Sequence, residues 1–323
     1  MVKVNDGNNS NSDIPQNREK LPRQFDKDVT EDVPEKLRTI DTLPNFRPFQ
    51  HSTIERTKLS QVSDEPTAPF HPPWLKGTGR PKRVTLLGTP KKRLMHHGYE
   101  VDPLIIWYPE DRKPYYDTRY PWGCVCRIIT SSGGGGSGVI VGPRHVLTAS
   151  HVIDWDTGAG SVEVHRAGPF TSAISGITDT WSFTKIGKGG VGWSEVDEDY
   201  AVIITADRIG DRYGWFGVRT YDSGWDDEPL WRNIGYPEDV IKGTYPIHQK
   251  RKTLDEDEWD YGSGRSMTTS ADVVKGQSGG PMFRFWQEGP YVVAVVSSES
   301  DENWCSGGSD MTRLVRHAKT KHP

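Results

Sequence analysis

The sequence predicts an all-β domain, a sandwich or barrel, standing behind a long irregular extension. Three observations carry this. From about Ile105 onward, short runs rich in β-branched residues recur between Gly and Pro punctuation. Helical periodicity is absent until the last fifteen residues. The first hundred residues hold eleven of the 23 prolines but only one of the twelve tryptophans, Trp74, so that stretch has little apolar material for a core of its own.

Taken in order, residues 1–104 read as the extension. Its basic clusters, Lys82-Arg83 and Lys91-Lys92-Arg93, fit either the processing sites of a pro-segment or plain solvated charge. Residues 105–323 form the folded domain. Its expected strands are 137–143, 144–148, 161–165, 181–186, 200–205 and 291–296. The mixed-charge stretch 250–258 reads as a solvated loop. Residues 309–319 read as the one helix, with Ser309 as its cap. No internal repeat is visible.

Composition excludes several classes of function. A net charge of −4 over 323 residues, without a basic stripe, gives no reason to expect a nucleic-acid partner. No run of eighteen apolar residues exists, so no spanning helix and no membrane association is expected. The first residues are too polar for a signal peptide, which implies either a cytoplasmic protein or an export signal lying outside this sequence. Cys124, Cys126 and Cys305 allow at most one internal disulfide. A lone Cys-x-Cys lacks the further ligands of a zinc site, and neither a metal nor an organic cofactor is expected.

The chemistry concentrates in residues 273–282, Val-Val-Lys-Gly-Gln-Ser-Gly-Gly-Pro-Met. Glycines on both sides of Ser278 suggest a sharply turning backbone that allows close approach. Gly276-Gln277-Ser278-Gly279-Gly280 formally fits the nucleophile elbow of α/β-hydrolases. That motif needs a helix directly after the serine and a histidine late in the chain. Here Gly279-Gly280-Pro281 is a poor helix start, strand-like Met282-Phe-Arg-Phe follows, and only His317 and His322 remain downstream.

The reverse chain order, His then Asp then Ser, is better served. Leu147-Thr148-Ala149-Ser150-His151 places a histidine where a strand gives way to a loop. Between it and Ser278, Asp199-Tyr200-Ala201-Val202-Ile203 puts a carboxylate at the entry to an apolar strand, and alternation favours Asp199 over Asp197 and Glu198.

Thr-Ala-Ser-His together with Gly-Gln-Ser-Gly-Gly-Pro resembles the chymotrypsin-like serine peptidases. Asp199-Tyr-Ala-Val-Ile, Ile209-Gly, Gly214-Trp-Phe-Gly and Asn233-Ile-Gly-Tyr-Pro resemble their glutamyl-endopeptidase branch, over roughly the last two thirds of the chain. The resemblance implies two six-stranded antiparallel barrels, about 120–215 and 225–315, with a short C-terminal helix, and a secreted protein. It implies a serine endopeptidase acting on proteins or peptides through Ser278, His151 and Asp199, with the backbone N–H groups of Gly276 and Ser278 as oxyanion donors. The alternative is a silent pseudo-peptidase that keeps the fold as a binding module. Substrate-binding positions would be Asp272, Val273, Val296, Ser297 and Ser298. Their chemistry leaves acidic, basic and apolar preferences open. Gln277 departs from the aspartate of the digestive enzymes, which pairs with a newly released amino terminus, so that activation switch is not expected here.

Overall fold

The computed structural model describes residues 48–83, 94–96, 99–101 and 111–323, the last range apart from 157, 168–169, 188–189, 240, 257–259, 261 and 300–301. The Lys91-Lys92-Arg93 cluster and the boundary drawn at 104/105 lie outside the described residues.

Two β-structures stand side by side. The first is a closed ring of six strands: β1 (Val125–Thr130), β2 (Gly135–Gly142), β3 (His145–Thr148), β4 (Gly160–Ala167), β5 (Phe170–Ser182) and β6 (Ala201–Thr205). Antiparallel ladders run β4–β1–β2–β3–β6–β5, and β5 returns to pair with β4. Inside, the Val, Ile and Leu side chains of β1, β2, β3, β4 and β6 make one core, as the β-branched runs of the sequence require.

The second sheet contains β7 (Trp231–Gly235), β8 (Ile247–Lys252), β9 (Leu254–Glu256), β10 (Gly264–Thr269), β11 (Pro281–Trp286), β12 (Gly289–Glu299) and β13 (Asn303–Gly308). Its order is β9–β10–β13–β12–β11–β7–β8, with the short strand Lys113–Pro114 added to β8. The sheet curls until β8 faces the loop after β10, where Gln249 exchanges two hydrogen bonds with the backbone of Asp272, but its ladder does not close.

The helix Ser309–Lys321 crosses back onto the first barrel and inserts Met311, Leu314, Val315 and Ala318 into its core. It starts where expected, but Ser309 is its first helical residue rather than its cap. Gly308, at φ 93°, makes the turn into it.

The expected strand 181–186 ends at Ser182. Beyond it the side chains turn to other partners: Phe183 lies under the Arg56 guanidinium, and Thr184 bonds Glu198 while its carbonyl accepts from Ser150 Oγ. Cys124, Cys126 and Cys305 are buried free thiols, each pushed up in pKa by burial.

Residues 48–83 of the extension bind across both sheets. Gln50–Thr53 pairs parallel with the end of β5 (Asp179–Ser182). The turn of helix Arg56–Leu59 buries Leu59 completely. Thr67, Phe70, Gly77 and Arg83 bridge to Val218, Trp215, Tyr120 and Tyr115. Phe49, Ile54, Leu59 and Leu75 thereby join a core the segment could not build alone.

Candidate active site

Asp199 lies between a short 3-10 turn, Trp193–Glu198, and the start of β6 at Ala201. It stands just before the strand rather than as its first residue. The carboxylate is completely buried, and three donors satisfy it. Oδ1 accepts from the backbone N–H of His151 at 3.0 Å, while Oδ2 accepts from His151 Nδ1 at 2.7 Å and from Ser297 Oγ at 2.6 Å. A buried carboxylate survives only when its lone pairs are filled in this way.

His151 sits in a single 3-10 turn, Ser150–Val152, directly after β3, and its side chain remains 22% exposed. With Nδ1 donating to Asp199, the imidazole keeps Nε2 as the nitrogen available for proton exchange.

The nucleophile loop docks against the first barrel. Ser137 of β2, fully buried, is the joint: its N–H donates to Ser278 O at 2.8 Å, its hydroxyl donates to Gly276 O at 2.6 Å, and it accepts from Tyr236 N at 2.8 Å. Its own carbonyl accepts from Thr148 Oγ1, three residues before His151. Gly276 and Ser278 are thus docked on β2, and the same Ser137 holds Thr148 at the foot of the turn that carries His151, itself bonded to Asp199.

Glycine is required twice here. Gly276, at φ 95°, lies so close to the Tyr236 carbonyl that a Cβ would overlap it. Gly279, at φ 80°, lies equally close to Thr148 Oγ1 and the Ser137 carbonyl. The Gly276 carbonyl is turned to Ser137, and among the described residues neither Gly276 N–H nor Ser278 N–H has a protein acceptor. Two free donors two residues apart, beside a serine, are the makings of an oxyanion site.

The expected substrate-binding residues fall in the loop before Ser278 and on β12. Asp272, Val273, Val296 and Ser297 are buried, and Ser298 is half-buried. Asp272 is not a bare carboxylate. Lys252 Nζ, itself buried, stands 3.8 Å from Asp272 Oδ2 and 3.0 Å from Asp111 Oδ1. Ser297 sends its hydroxyl to Asp199, so its side chain belongs with the histidine and aspartate. The sequence concealed Ser137, Lys252 and this role of Ser297, because a small residue inside a strand and a lysine in a charged run carry no motif. Among the described residues, no group of His, Cys, Asp and Glu is placed to hold a metal ion.

The fold, a closed six-stranded barrel beside a curled open sheet, is that of a chymotrypsin-like peptidase scaffold, and comparison with known proteins agrees. Residues 136–295 match the family model of the trypsin-like peptidase domain. The chain is thus similar to the chymotrypsin-like serine peptidases, near their glutamyl-endopeptidase branch. A glutamyl endopeptidase of Bacillus licheniformis is 29% identical over 213 residues, 62% of this chain and 61% of that protein. The chain therefore spans about three fifths of that relative's length. A solved Glu endopeptidase in complex with MPD superposes with a TM-score of 0.54 at 17% identity, covering 67% of this chain and all of the other. The protease Anisep of Arthrobacter nicotinovorans gives 0.44 at 18% identity, over 58% of this chain and 89% of its own.

Proposed function

We propose that this protein is a serine endopeptidase that hydrolyses peptide bonds through Ser278, His151 and Asp199 and an acyl-enzyme intermediate. The observation that supports it most is the filled carboxylate of Asp199, which holds the imidazole by both its backbone N–H and Nδ1.

Each step follows from the groups present. Ser278 Oγ attacks the substrate carbonyl carbon while His151 Nε2 accepts its proton. The resulting imidazolium is stabilised by the Asp199 carboxylate. The carbonyl oxygen, now negative, is met by the N–H groups of Gly276 and Ser278, fixed in place by a loop that does not need to reorganise. His151 then delivers the proton to the leaving amine, which departs and leaves an ester on Ser278. Water, deprotonated by the same imidazole, releases the acid product and restores the hydroxyl.

At the specificity position Asp272, the ammonium of Lys252 offsets the charge that would otherwise attract a cationic side chain. The reading that follows is a preference away from Lys and Arg substrates. Covalent labelling of the pure protein by a fluorophosphonate probe, abolished by Ser278→Ala, tests the proposal. A chain that takes up no label while correctly folded is instead a silent binding module.

A further inference from the structure

Between Asp272 and Gly276 the loop that carries the oxyanion donors is held from inside by three neutral amides. Gln277, completely buried, accepts from Val274 N at 3.0 Å through Oε1. Through Nε2 it donates to Asn233 Oδ1 at 3.1 Å and to Asp272 O at 3.0 Å. Gln249 of β8, also buried, donates to the same Asp272 carbonyl at 2.8 Å and to Asn233 Oδ1 at 3.4 Å, and accepts from Asp272 N at 2.9 Å. Backbone bonds from Gln277 N to Val274 O and from Gly280 N to Gln277 O close the turn. Both donor hydrogens of Gln277 are committed, and its acceptor is engaged by the very loop it holds.

The outer side of the loop is fixed as well. Glu238 N donates to Lys275 O, and the neighbouring Asp239 receives a bidentate pair from Arg112, at 2.8 and 3.0 Å, whose side chain is only 3% exposed. Arg112 belongs to the segment entering the first barrel, which continues as Lys113–Pro114 along β8.

We propose that Gln277 is the positioning residue of the oxyanion loop, and that the amide cluster Gln277, Asn233 and Gln249 keeps Gly276 and Ser278 N–H aimed in the uncut chain, with no released amino terminus needed. This rests on the peptidase reading above. A neutral cluster suits the task because it holds its geometry without an ion that must first be generated. Losing the side-chain amide takes from buried Val274 N its acceptor and leaves Asn233 Oδ1 and Asp272 O with Gln249 as the remaining amide donor, so the loop relaxes toward a conformation that satisfies Val274 N.

The test uses the full 323-residue chain and a fluorophosphonate probe. The saturation limit of the inactivation rate and the probe concentration at half-saturation are both measured, and the intact mass of the labelled species is recorded. Gln277→Leu is expected to lower the limiting rate by about 100-fold, the scale of losing an oxyanion donor, with the half-saturation concentration unchanged. Gln277→Asn, which keeps an amide one methylene too short, covers the case in which the leucine variant fails to fold, and is expected to lose about 10-fold. The labelled wild-type species should carry the mass of the uncut chain. An unchanged limiting rate in both variants, or label found only on molecules shortened at the amino terminus, overturns the inference and leaves the peptidase reading standing. Absence of label on uncut and shortened wild-type protein alike overturns both.

Discussion

Ser297 Oγ lies 2.6 Å from Asp199 Oδ2, and this bond ties β12 of the second sheet to the carboxylate that orients the histidine of the first. The hydrogen bond crosses the junction of the two sheets, so it couples their relative placement to the state of the imidazole. A charge-assisted bond of this kind contributes about 1.5–3 kcal/mol. Ser297→Ala should therefore cut kcat about tenfold or more and lower the melting temperature. Steady-state kinetics beside a thermal melt checks both, and a variant that melts early yet turns over normally would confine Ser297 to stability.

Removing the nucleophile or the base should be far more severe. Ser278→Ala and His151→Ala are each expected to reduce turnover by roughly 10⁶-fold, and Asp199→Asn by roughly 10⁴-fold through the wrong tautomer of His151. The double variant Ser278→Ala/His151→Ala should be no worse than either single one. Casein hydrolysis with purified proteins reads this non-additivity directly.

Lys252 is predicted to suppress cleavage after Lys and Arg. Lys252→Met leaves Asp272 without the ammonium at 3.8 Å, a buried charge that costs about 3–5 kcal/mol when its partner is removed. The variant should melt earlier and cleave more readily after basic residues in a peptide library. A cleavage profile identical to wild type would show that Asp272 does not face the substrate.

Acid should destabilise the fold through histidines held neutral. Burial lowers His145 and His248 to about 3 and His165 to about 4, against 6.5 in the unfolded chain. Below pH 6.5 the unfolded state binds protons that the folded state refuses, so these groups contribute stability above pH 6.5 that is lost as pH falls toward about 4 for His165 and about 3 for His145 and His248. Asp197 acts in the opposite direction. Burial, then Glu198 and Asp260, raise it to about 6, so the folded state holds a proton between pH 3.8 and 6 and stability from this group falls as pH rises through that window. Asp197→Asn should raise the melting temperature at pH 7.5 and leave it unchanged at pH 3.5. Melts across pH 3.5–8 separate the two contributions.

The segment 48–83 should be indispensable for stability. Leu59 is completely buried, and Leu59→Ala is expected to cost about 2–5 kcal/mol in a denaturant titration.

What the sequence made legible follows from how local each signal is. His151 and Ser278 announce themselves because their chemistry needs small residues within two or three positions, and Gly276 and Gly279 do adopt the positive φ such a turn requires. Four strands of the first barrel, β2, β3, β4 and β6, were readable from β-branched runs, whereas β1 was not and only the last two residues of β5 were. Residues of the 48–83 segment such as Leu59 and Phe49 were not, because scattered apolar residues have no period until they meet a core built by the rest of the chain. The partners of Lys252 and Gln277 were equally hidden: Asp272 and Asn233 lie 20 and 44 positions away in the chain, and only the curl of the sheet brings them together.

The parallel pairing of Gln50–Thr53 with Asp179–Ser182 has a practical result. Those four residues seal a run of amide and carbonyl groups at the rim of the barrel that would otherwise lie open to any passing strand. Severing the polypeptide downstream of residue 83 need not free the piece, since its buried Leu59 and its rungs on β5 hold without the covalent link. Were the piece stripped away, the remaining molecule would present a sticky border and clump with its own kind, so careless trimming during preparation would show up as turbidity before any loss of secondary structure.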